Sequence, residues 1–179
     1  MDLVWLLDRA TGLVAYPALY AATVTGVFYG ESAFGTVSAL ARRVHVDVAV
    51  FALVVTLVHA VLGTVDTWLV ATGQAPEPSY GTAYLVAGSV VGAGALLLVV
   101  VAALGFLDAT RFEAPWGPRV VHGFAYSGYG FATVHAAAVG TDVLGLVRPV
   151  VVPATAFVAY LLALRILVAY GPLLETTAQ

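Results

Sequence analysis

Four histidines, His45, His59, His122 and His135, are the only imidazoles in the chain, and they fall into two pairs, 14 and 13 residues apart. At the rise of an α-helix each pair spans about 20 Å along its axis, which sets one His near each face of a hydrocarbon core of about 30 Å. Two such helices running the same way offer His45 with His122 at one depth and His59 with His135 at another. A single intramembrane His often only hydrogen-bonds across helices. Four at matched depths are costly enough to point to function.

The metal chemistry open to them is limited. A zinc or copper centre draws three or four ligands onto one ion. Residues about 20 Å apart on one helix cannot share an ion, and each depth supplies only two His, too few for zinc unless Asp47 joins. Haem iron needs only axial ligands, because the porphyrin fills its other four positions. The expectation is therefore two haems b, with His45, His59, His122 and His135 as iron ligands. An iron with both axial positions filled favours electron transfer over oxygen binding. Structural His and a proton relay are the alternatives. One feature strains the pattern: on an ideal helix a 14-residue step returns within about 40° of the same face, but a 13-residue step lands about 140° away. The second helix must bend or present its ligands from different azimuths, and Gly123, Gly128 and Gly130 permit either.

The surroundings must position these residues in lipid. The chain has 179 residues, 61% hydrophobic and 9% charged, with a mean hydropathy of +0.99. Soluble domains carry about 25% charged residues, so this is an integral membrane protein with membrane lipid as its surroundings. The absence of Cys excludes disulfides, Fe–S clusters and thiol chemistry. A net charge of −3 without a basic tract gives no reason to expect nucleic acid. The expected fold is all-α: one domain over 1–179, a bundle of about five transmembrane helices at 10–30, 44–70, 82–107, 119–141 and 150–170. Residues 1–9 read as a short amphipathic start rather than a signal peptide. Residues 31–43, 73–81 and 108–118 read as loops, and Trp116 as an interfacial anchor. Pro17 is expected to kink the first span. Gly88, Gly92 and Gly94 let the third approach its neighbours. Asp47 and Asp66 read as water-facing ends of the second span, and Arg165 as snorkelling to the surface. Tyr129 and Phe131 lie midway between the ligands of the fourth span and read as packing.

Arg42 and Arg43 in one loop and Arg111 and Arg119 in another outnumber Arg9 and Arg148 on the opposite side. The positive-inside rule then places the N-terminus outside, the C-terminus in the cytoplasm and His45 with His122 at the inner depth of a plasma-membrane protein. Arg42, Arg43 and Arg119 lie near that depth, either to pair with haem propionates or only as positive-inside anchors.

The Arg-Arg-Val-His…His segment at 42–59 and the His-Gly-Phe-Ala-Tyr…His segment at 122–135 resemble the ferric reductase-like transmembrane domain. That superfamily includes ferric-chelate reductases, NADPH oxidases and the haem subunit of bacterial methionine sulfoxide reductase systems. The resemblance covers about 13–170. It implies a di-haem membrane cytochrome in which His45 and His122 ligate the inner haem and His59 and His135 the outer one. The chain departs from the oxidases in lacking a further N-terminal helix and a C-terminal flavin and nucleotide domain. Electrons are thus expected from a separate flavoprotein or quinol, and to leave to ferric iron, oxygen or a partner reductase. A quinone-linked respiratory cytochrome b and a non-redox channel or transporter are the other readings.

Overall fold

The structure is a computed structural model and describes residues 3–29, 35–107, 117–140 and 144–176. Five helices and no strand occur among them: α1 (Leu3–Tyr29), α2 (Gly35–Ala71), α3 (Thr82–Leu107), α4 (Gly117–Val139) and α5 (Leu144–Thr176). The all-α membrane bundle expected from composition is what the chain forms. The expected third span coincides with α3. Elsewhere the helices outrun the apolar runs. α1 takes in most of the amphipathic start, α2 begins at Gly35 and absorbs the stretch read as loop, and α5 begins six residues early. Hydropathy marks where lipid ends, whereas a helix continues until its backbone hydrogen bonds are capped. The expected 108–118 loop, with Arg111 and Trp116, lies almost wholly outside the described residues, as does the side chain of Arg148.

The visible turn has clear stop and start signals. Gly73, at φ 73°, ends α2. Its N–H donates to the carbonyl of Val70, and that of Gln74 to the carbonyl of Leu69, 3.0 and 2.8 Å, a Schellman pattern. α3 starts where the amide and hydroxyl of Thr82 both donate to Glu77 Oε1, at 2.7 and 2.8 Å. Those bonds hold the Glu77 carboxyl below its ordinary range, the amide making the larger contribution.

Helix directions alternate. α1 and α2 pack antiparallel, bringing Thr25 to His45 and Asp8 to His59. α3 and α4 do the same, with Ala102 beside His122 and Gly88 beside His135. α5 lies against α1 and α4. The buried centre is built largely of small residues: Ala18, Ala52, Ala95 and Ala132 around Leu19, Tyr129 and Val158. Such residues bring backbones close, the usual source of cohesion between helices in lipid. Large aliphatics turn outward, with Val61 64%, Leu97 63% and Val90 67% exposed. On a water-soluble protein this would be an adhesive surface. Here it is the lipid face.

Over the described residues, α1, α2, α3 and α5 are long and apolar enough to cross a membrane. α4 is diluted by two His, two Tyr, Ser127 and Thr133. Both tyrosines turn toward the other helices: Tyr126 accepts from Arg165 Nη1 at 2.9 Å, and Tyr129 meets Tyr16. Arg165, expected to snorkel outward, is thus tied to α4. A helix whose polar groups are met by its neighbours can be less apolar than one facing lipid.

Candidate functional site

α2 and α4 face each other through their histidines. The His45 and His122 rings have centroids 6.2 Å apart with planes at 88°. The His59 and His135 rings are 5.9 Å apart at 66°. Both cross-helix pairs suggested by depth are therefore brought together, and the 13-residue step of α4 does not prevent it. The two α4 rings bond to the same neighbour, α3, at carbonyls 14 residues apart.

Each ring is held by its Nδ1. His122 Nδ1 donates to the Ala102 carbonyl at 3.3 Å, His135 Nδ1 to that of Gly88 at 2.8 Å, and His59 Nδ1 to that of Asp8 at 3.1 Å. A carbonyl can only accept, so these three nitrogens carry the proton. His45 Nδ1 lies 3.1 Å from Thr25 Oγ1, whose own proton points to the carbonyls of Ala21 and Ala22 at 2.7 and 3.0 Å. The Thr25 oxygen is thus the acceptor there too. In the neutral form of each ring the lone pair is then on Nε2. This is how metal-bound His is prepared: an outer partner fixes the tautomer and orientation, and the other nitrogen faces the metal.

The spacing fits as well. A metal–imidazole bond is about 2 Å and a ring nitrogen lies about 1 Å from its ring centre, so two imidazoles sharing a metal stand about 6 Å apart. No group of three or more His, Asp or Glu able to hold a metal occurs among the described residues. A haem, which asks the protein for two ligands, suits this donor set.

Three glycines make the fit possible. A Cβ on Gly12 would meet the His59 ring at 3.0 Å, one on Gly26 the His45 ring at 3.1 Å, and one on Gly92 the His135 ring at 2.9 Å. Gly12 and Gly26 are 14 residues apart on α1, matching the pair they face on α2. A cavity of about 1050 Å³ opens beside His59 and His135, lined also by Tyr16, Tyr20, Leu96 and Ala132. That is the upper end of the usual small-molecule range of about 300–1,000 Å³. A smaller one of about 300 Å³ shares Arg9, Asp66, Tyr80 and Leu85 with it. Asp66, expected at a water-facing end, is 8% exposed and lines both.

Residues 3–142 match the family described as Domain of unknown function (DUF8596). The chain belongs to this family. The DUF8596 match takes in α1 to α4 with all four histidines, their glycines and Nδ1 partners, and ends before α5. No curated protein and no solved structure matches the chain.

Other expected site residues are less directly engaged. Arg42 Nη1 donates to Ser38 Oγ at 2.6 Å and to the Tyr29 carbonyl at 3.4 Å, bracing the junction of α1 and α2. Arg43 and Arg119 are exposed. Arg42 and Arg119 stand at equivalent positions, three residues before His45 and His122. Tyr129 is buried, while Phe131 is 47% exposed and points away. The α1 contribution, Asp8, Gly12, Thr25 and Gly26, was missed from sequence. The equal 14-residue steps of Gly12–Gly26 and His45–His59 are the signal that could have revealed it.

Proposed function

We propose that this chain is a membrane electron-transfer protein of the ferric reductase-like type. His45 and His122 would hold one haem b, and His59 and His135 a second. The observation that carries this reading is the set of two facing imidazole pairs, 6.2 and 5.9 Å between centroids, with every Nδ1 committed to an acceptor. When bound, each haem supplies a one-electron iron couple. The chain holds the rings in a fixed orientation through Thr25, Asp8, Ala102 and Gly88. Tyr16, Tyr20 and Tyr129 fill the space between the two depths, the Tyr129 ring standing 5.8 and 6.4 Å from those of Tyr16 and Tyr20.

The electron donor is proposed to be a separate flavoprotein or quinol, and the acceptor ferric iron, oxygen or a partner reductase. Arg42, Arg43 and Arg119 would pair with propionates at the inner end. The Arg distribution supports a plasma-membrane protein with its N-terminus outside; a C-terminal phosphatase reporter should then stay inactive in cells, and activity would reverse the orientation.

The pairing is tested by single His→Ala variants and visible spectra of the purified proteins. His59→Ala and His135→Ala should remove the same b-type signal and leave the other. His45→Ala and His122→Ala should remove the remaining one. Loss of one common signal from His45→Ala and His59→Ala would contradict the two-depth arrangement.

A further inference from the structure

Three of the four histidines rest on neutral acceptors: a hydroxyl for His45, and backbone carbonyls for His122 and His135. His59 differs. Its Nδ1 lies 3.0 Å from the carboxylate Oδ1 of Asp8, as well as 3.1 Å from the Asp8 carbonyl. The side chains are only 23% and 17% exposed, so water screens the pair weakly. The carboxylate occupies a built position. Gly63, one turn beyond His59, leaves the space for it, since a Cβ there would lie 3.0 Å from Oδ1. Gly12 leaves the space for the ring itself.

The Nδ1–H donates to the Asp8 carbonyl and, among the described residues, the carboxylate Oδ1 makes no hydrogen bond of its own, so it acts on the ring through its charge, which raises electron density on Nε2. A more electron-rich ligand stabilises the oxidised, more positive metal over the reduced one. Resting on the di-haem reading above, we propose that Asp8 is a positioning residue that makes the His59–His135 centre the lower-potential of the two. A protein reduced by one electron then holds that electron at the His45–His122 centre.

Spectroelectrochemical titration of the purified haem-loaded protein tests this. The wild type should give two one-electron waves, and His135→Ala should abolish the lower one. Asp8→Asn keeps the size and the backbone carbonyl that His59 Nδ1 bonds to, but removes the charge. It should raise the lower wave by about 59 mV, a tenfold change in the one-electron equilibrium, and leave the upper wave in place. Asp8→Glu should restore much of the difference. Gly63→Ala, which crowds Oδ1 without touching the ligand, should move the same wave in the same direction. Unchanged waves in Asp8→Asn, an equal shift of both, or assignment of the lower wave to His45–His122 would overturn the proposal. A wild-type protein without haem would instead overturn the reading beneath it.

Discussion

A Cβ on Gly92 would stand 2.9 Å from Nδ1 of His135, closer than real side chains come. The ring has no room to yield, because the same nitrogen is fixed at 2.8 Å to the Gly88 carbonyl, one turn away on α3. α3 thus seats His135 with a carbonyl at Gly88 and, one turn on, an absent side chain at Gly92.

Gly92→Ala should therefore displace His135, at the cost of about 1–3 kcal/mol typical of overpacking. The signal of one haem should weaken while the other stays. Gly94, two residues on, has nothing within 4 Å of the place a Cβ would take. Gly94→Ala should be neutral or gain up to about 1 kcal/mol from helix propensity. Absorbance spectra with thermal unfolding in detergent compare the two, and equal effects would remove the steric account.

At mid-depth the Tyr16 hydroxyl meets those of Tyr129, Thr133 and Thr155 at 3.0, 3.3 and 3.3 Å, tying α1 to α4 and α5. Tyr129→Phe keeps the ring and leaves Tyr16 two partners, so it should cost about 1 kcal/mol or less. Tyr129→Ala also empties the volume and should cost about 3–5 kcal/mol. A similar loss of thermal stability in both variants would mean that the hydroxyl network, and not the ring, dominates.

How much of this could be read beforehand depends on the kind of residue. The histidines announce themselves, because an ionisable ring in an apolar run is conspicuous and its spacing converts directly to depth. Gly12 and Gly26 do not, since glycine is common in membrane helices and the value of these two lies in what α2 places opposite them. Asp8 was hidden for a related reason. It lies in a stretch that reads as a polar start, and only the antiparallel docking of α1 on α2 carries it to His59. Helix starts lie earlier than expected at α1, α2 and α5, where amphipathic, polar or Pro-bearing sequence continues the helix beyond the apolar run. The third span was placed correctly because Gly81 and the Glu77–Thr82 cap coincide with the start of the apolar run.

That cap predicts a pH dependence. The Glu77 carboxyl is held below its ordinary range by the Thr82 amide and hydroxyl. Its contribution is fully present above the ordinary carboxylate range and is lost as pH falls through the depressed folded value. Amide exchange in the first turn of α3, corrected for intrinsic rates, should rise at acid pH in the wild type. In Glu77→Gln it should be higher at neutral pH and respond less to acid; an identical profile would remove Glu77 from the cap.

The central claim, two bis-His haems in one chain, is tested most directly by the haem content of the purified protein produced with ample haem supply. The pyridine-haemochrome ratio should approach two haems b per chain, and the dithionite-reduced spectrum should be low-spin. A colourless protein, or a ratio near one, would contradict it.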